Sequence, residues 1–136
     1  MVKPLEVKVG MKLEPFTYRV EQSKIKEFAV AIGDERPEYM SGECVPPTFP
    51  TVIDFWGTGG TGLGILLGLN IAKVLHGEHE YQYLGKIKLG DTITVYGEVD
   101  DVYIKANMKF IVVKKELFNQ NNELVLISRS TIIERQ

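Results

Sequence analysis

Cysteine, histidine and tryptophan are scarce in this 136-residue chain, with one, two and one copies respectively. With Cys44 alone, no disulfide can close within the chain, so a reducing compartment is expected and the cytoplasm is its natural location. A structural zinc site takes about four thiolate or imidazole ligands, which one Cys and two His do not supply. No metal and no cofactor is therefore expected. A basic excess is also missing: 16 Lys and Arg face 18 Asp and Glu, for a formal net charge of -2. Nothing is left over to neutralise phosphates, which argues against a nucleic-acid partner. The opening MVKPLEVKVG has no apolar signal core, so export is not expected.

Charge is absent from one long stretch, FWGTGGTGLGILLGLNIA, running from Phe55 to Ala72. A membrane span needs ~20 predominantly apolar residues, and this run spends six positions on glycine and others on Thr and Asn. It reads instead as an uncharged wall of a ligand pocket, or as a buried loop and core helix. No membrane association follows from it.

What is present is the composition of an ordinary globular chain, 44% hydrophobic and 25% charged. Residues 1–136 read as a single domain large enough to bury its own core. Phe16 to Val20 reads as a short strand. A helix is predicted from Gln22 to Ile32, with Ile25, Phe28, Ala29 and Ile32 at helical spacing on one face. Gly33 stands where a left-handed C-terminal cap belongs, and Pro37 opposes continuation. VPPTFPTVIDFW can open a second helix, although Pro50 conflicts with a start at Pro46. The second half changes in kind. HGEHEYQYL, TITVYGEVDDVYI, NMKFIVVKKELF and ELVLISRSTIIER are rich in β-branched and aromatic residues, with turn-like separators between them. Successive strands on short turns imply an antiparallel sheet with one face covered by the helices, an α+β layer design.

Three local patterns carry chemistry in principle. GTGGTG, Gly57 to Gly62, matches a dinucleotide-binding fingerprint, but no second βαβ unit follows it, only hairpins. In a regular strand His76, Glu78 and Glu80 share one face while His79 joins Tyr81 and Tyr83 on the other, so the histidines are split and make a poor metal pair. Asp54 lies among apolar residues in TVIDFW. It reads as a carboxylate on the exposed side of an amphipathic turn; buried, it would have to be paired, hydrogen-bonded or protonated.

The helix ending in AIGDERPEY, the VPPTF segment and LHGEHEYQYLGKIKLGDTITVYGEV together resemble the MaoC-like dehydratase group over nearly the whole chain. The resemblance is to the dehydratase N-terminal-type branch, which includes non-catalytic subunits of heterodimeric 3-hydroxyacyl-thioester dehydratases. It implies a hot-dog fold, a curved antiparallel sheet wrapped around a central helix. Members of the R-specific enoyl-CoA hydratase type carry Gly-Asp-x-Asn-Pro-x-His at the helix end, where Asp and His activate water. Here the same spacing reads Gly33, Asp34, Glu35, Arg36, Pro37, Glu38, Tyr39. Catalytic relatives also place His-Gly at the start of the central helix, where the glycine N–H holds the thioester oxygen. Pro46 and Pro47 stand there, and proline has no N–H to give.

The resemblance therefore implies the acyl-binding partner of a hydratase or dehydratase rather than its catalytic subunit. Asp34 keeps its place in a degenerate motif, Tyr39 replaces the histidine, and Asp54 is the alternative catalytic carboxylate. Arg36, Pro47, Thr48, Phe55, Trp56 and Leu63 are the expected substrate-binding residues, with Arg36 or Lys86 near phosphates. The expected ligand is an acyl-CoA or acyl-carrier-protein thioester, and the expected partner a homologous catalytic hot-dog subunit or a second copy. A stand-alone hot-dog thioesterase using Asp54 or Asp34, or an acyl-binding module without activity, are the rival readings.

Overall fold

The computed structural model describes residues 7–57 and 67–136. Five strands form one antiparallel sheet: β1 (Phe16–Arg19), β2 (Val74–Tyr83), β3 (Thr92–Lys105), β4 (Met108–Phe118) and β5 (Leu124–Glu134). Their spatial order is β1-β3-β4-β5-β2. β3, β4 and β5 follow one another as hairpins, whereas β2 leaves its sequence neighbour β3 and pairs with β5 at the far edge. Helices α1 (Gln22–Ala31), α2 (Pro37–Met40) and α3 (Pro50–Gly57) complete the described elements, with a short 3-10 turn at Ile71–Lys73.

The predicted α1 forms and stops as its sequence demands. Gly33 takes φ +75°, a left-handed conformation in which a Cβ would be strained. Ile25 and Ala29 are buried and Phe28 partly so, but Ile32, predicted on the same face, is 46% exposed. It caps the helix rather than continuing it, and the chain is already turning away. Pro37 does not merely block a helix; it opens the one-turn α2 at a position where its missing N–H costs nothing. The same logic places the start of α3 at Pro50, with Pro46 to Phe49 forming turns ahead of it.

Helices and sheet meet through one apolar cluster: Val20, Ile25, Phe49 and Ile53 against Ile93, Val95, Leu117 and Leu126. Phe49 makes edge-to-face contacts with Tyr18 and Phe28, at centroid distances of 6.5 and 6.0 Å. A second cluster lies further along the same sheet face, built from Val7, Leu67, Val99, Ile111, Val113 and Ile132. Fully burying each Ile or Leu of these clusters stabilises by ~1.5–3 kcal/mol.

Between the two clusters the inward-facing row changes character. β4 alternates strictly, burying Ile111, Val113, Lys115 and Leu117. β5 buries Leu126, Ser128, Ser130 and Ile132 in the same way. The register aligns Gly97, Lys115, Ser128 and Tyr81 across four strands, with Val113, Ser130 and His79 in the next row. A polar seam thus crosses an otherwise apolar face.

The separation of the two histidines expected for a regular β2 is overturned by a bulge. The register shifts between His76 and Glu78, so His76 pairs with Ile132 and His79 with Ser130, while Glu78 faces Thr131. Directly paired residues share a face, so one extra residue, Gly77, brings both imidazoles to the inner side. No group of three or more His, Cys, Asp or Glu able to hold a metal occurs among the described residues.

Candidate functional site

Two groups of chemistry-bearing side chains are built on this frame. The first occupies the end of α1 and the one-turn α2. The Arg36 guanidinium donates through Nε to Asp34 Oδ1 at 2.9 Å and through Nη2 to Oδ2 at 2.8 Å, a bidentate fork. The Arg36 hydrogen bonds hold the Asp34 carboxyl below its usual range. Arg36 also lies over the ring of Tyr39, 4.9 Å from its centroid, and Tyr39 itself is buried. Three residues expected to act on substrate are thereby turned toward one another.

The second group meets under α3. Thr51 and Asp54, three positions apart, share a helix face directed at the polar seam. Asp54 Oδ1 accepts from Lys115 Nζ at 3.1 Å, and Asp54 Oδ2 lies 3.8 Å from His79 Nε2. His79 Nε2 is also 3.3 Å from Ser128 Oγ. Thr51 Oγ1 and the Tyr81 hydroxyl are 2.7 Å apart, and the His79 and Tyr81 rings are in contact. The side chains of Lys115 and Asp54 are only 4% and 14% exposed. Asp54 is therefore a nearly buried ion-pair partner, which corrects its reading as an exposed carboxylate. Burial lowers the proton affinity of His79, the Asp54 charge opposing this without cancelling it, so the imidazole is held neutral. Burial likewise pushes the Tyr81 phenol upward.

The remaining expected residues scatter. The Tyr83 hydroxyl donates to the Pro47 carbonyl, so Pro47 acts through its acceptor. Thr48 is exposed, and its carbonyl accepts from Thr51 N. Phe55 and Trp56 stack edge-to-face but are 46% and 49% exposed, with the Lys24 ammonium 5.0 Å from the Trp56 ring centre. They lie on the outer side of α3 rather than in its packed face. Lys86 is exposed, beside Lys88 and Asp91. Leu63, and most of the uncharged stretch with its glycine fingerprint, fall outside the described residues.

Lys115, Ser128 and Ser130 did not figure among the expected site residues. A signal existed: each holds a period-2 position whose neighbours at ±2 are apolar or part of the same polar break. A lysine at an inward parity between Val113 and Leu117 is an anomaly visible without coordinates.

Comparison with known proteins places the chain. The family model described as FAS1-like, dehydratase domain region, matches residues 7–128. The chain belongs to this family. A UPF0336 protein of Saccharopolyspora erythraea is 30% identical over 138 residues, covering 93% of this chain and 88% of that protein. Among solved structures, the C-terminally truncated HadBC (3R-hydroxyacyl-ACP dehydratase) complex of Mycobacterium tuberculosis superposes with TM-score 0.78 at 18% identity, over 96% of this chain and 99% of that one. A MaoC-like dehydratase from Phytophthora capsici gives TM-score 0.79 at 20% identity, over 93% of this chain and 48% of that one. At such identities the likeness concerns the fold, and the FAS1-like dehydratase-region chain has the hot-dog architecture of the MaoC-like proteins.

Proposed function

We propose that the chain is the acyl-binding, non-catalytic subunit of an R-specific enoyl-thioester hydratase or 3-hydroxyacyl-thioester dehydratase. The observation that carries this reading is the bidentate Arg36 fork on Asp34. Hydration needs a carboxylate and an imidazole free to position water and move its proton. Asp34 instead spends both oxygens on Arg36, which holds it ionised and unable to donate. Tyr39 stands where the histidine would, and it offers no imidazole to take the proton from water. Pro46 and Pro47 remove a backbone donor for the thioester oxygen, and such a loss alone costs ~10²–10³ in rate. A homologous subunit with intact Gly-Asp-x-Asn-Pro-x-His would supply the missing groups, and the heteromeric HadBC complex offers a precedent of the same fold.

The thioesterase alternative asks for a free carboxylate near α3, but Asp54 is engaged by Lys115. The test compares hydration of crotonyl-CoA by the purified chain alone, by a motif-bearing homologue, and by the two together. The chain alone is expected to be inert and to raise the activity of its partner. Robust hydration by the single chain, abolished in Asp34→Ala, would overturn the reading.

A further inference from the structure

The two edges of the sheet are finished differently. At one edge β1 has only four residues, and the chain ahead of it covers the rest of β3. Gly10 N donates to the Val99 carbonyl at 2.8 Å and Leu13 N to that of Gly97 at 2.9 Å, with Lys12 bridged to Glu98 between them. The other edge, β2, runs for ten residues, all exposed except the half-buried Val74 and Tyr81. It carries no Pro and no Lys, the residues that commonly guard an edge; its charges are two carboxylates, Glu78 and Glu80. Beyond the bulge at Gly77, Glu78, Glu80 and Gln82 lie on the outer face of the sheet, and His79, Tyr81 and Tyr83 on the inner one. Arg129 is the cross-strand neighbour of Glu80, but its Nε lies 3.7 Å from Asp100 of β3, on the side away from β2.

Resting on the subunit role proposed above, we infer that Glu78 and Glu80 make the β2 edge reject a second copy of this chain. They select instead a non-identical subunit whose edge strand carries Lys or Arg at alternate outward positions. The register decides this. A two-fold pairing of β2 with itself is isologous: if residue i faces j, then j faces i. Opposed residues of an antiparallel pair share a face, so the pairing centres on a residue, not between two. Centred on Glu78 or on Glu80, it sets that carboxylate against its own copy. Centred on His79, it sets Glu78 against Glu80 twice. Like charges directly opposed across a ladder destabilise it, whereas opposite charges stabilise it. Centring on Tyr81 or beyond escapes the clash only by leaving the first half of β2 unpaired, and centring nearer Val74 carries the bulge into the new ladder. A strand with basic residues at i and i+2 meets both carboxylates at once. It would also extend the polar seam, because His79 and Tyr81 stand at the end of their rows.

Sedimentation equilibrium measures the association of three proteins: the wild type, the neutral variant Glu78→Thr/Glu80→Thr and the reversed variant Glu78→Lys/Glu80→Lys. Both positions are exposed, and threonine keeps strand propensity. The reversed chain serves as the probe for a basic edge. Mixed in equal amounts, wild type and reversed variant should form a dimer at concentrations where each alone is a monomer. Molar salt should weaken that mixed dimer. The neutral variant should self-associate about tenfold more tightly than wild type, because two opposed carboxylate pairs are relieved. A neutral variant no tighter than wild type, or a mixture no tighter than its components, would each overturn the inference. The neutral comparison decides alone if circular dichroism shows the reversed chain unfolded. The non-catalytic role fails separately, through hydration of crotonyl-CoA by the single chain, so the two readings are distinguishable.

Discussion

Replacing Lys115 by Met should be among the most destabilising single changes in the chain. The substitution strands the Asp54 carboxylate, 14% exposed, under α3 with only the His79 imidazole near its other oxygen. Breaking a fully buried pair by removing one partner costs ~3–5 kcal/mol. The residual exposure of Asp54 reduces this to about 2–4 kcal/mol. For a domain of this size that is a fall in Tm of roughly 6–12 °C. Asp54→Leu should cost a similar amount by stranding the ammonium. The double variant Asp54→Leu/Lys115→Met should return to within about 1 kcal/mol of wild type, because two well-packed apolar side chains replace two desolvated charges. Urea denaturation followed by far-UV circular dichroism reads all four proteins, and unchanged m-values would confirm that stability alone has moved. The coupling between the sites should then exceed about 2 kcal/mol. Additive single effects below ~1 kcal/mol would mean that the pair is screened like a surface salt bridge, and the seam would lose its energetic importance.

Three further outcomes are expected. The Tyr18 hydroxyl is buried with no hydrogen-bond partner among the described residues, so Tyr18→Phe should raise stability by about 1 kcal/mol, readable as a higher Tm; a lower Tm would reveal a partner for it. His79 has a folded-state pKa below its usual value, so the unfolded chain binds more protons in that interval. Stability should therefore fall as pH drops from about 6.5 toward the folded pKa, and His79→Gln should flatten that part of the profile; an unchanged slope in the variant would refute the assignment. Tyr39→His alone should restore almost no hydratase activity, whereas its combination with Arg36→Asn, Pro46→His and Pro47→Gly should be disproportionately active because groups acting as a unit are non-additive; most of the gain appearing in the single change would refute the oxyanion argument.

The strands and α1 were legible because their signals are local. Alternation in NMKFIVVKKELF and ELVLISRSTIIER marks two inward-facing rows, and Gly33 marks a helix end by the one conformation it allows. Less accessible was the seam, because its members lie on α3, β2, β4 and β5 and meet only through pairing across the sheet. The bulge at Gly77 is a further reason. Strict period-2 counting sends His76 outward, and only the extra residue returns it to the side of His79. Asp54 was misjudged for a related reason: its sequence neighbours suggest amphipathicity, but its partner is sixty-one positions away.

The position of β2 at the edge beside β5 has a consequence for synthesis. β2 is made before β3, yet its ladder is with β5, pairing residues as far apart as Val74 and Glu134. A growing chain can close the β3–β4 hairpin as soon as both strands have left the ribosome, but β2 has no neighbour until β5 follows. Until then its unpaired backbone and the sheet-facing apolar sides of α1 and α3 are available to other chains. Asp54 and Lys115 can approach once β4 exists, whereas His79 and Tyr81 must wait for β5 to bring Ser130 and Ser128 beside them. The polar crossing is thus completed by the last strand laid down, and a protein paused before β5 would carry α3 without the half of its floor that holds the imidazole.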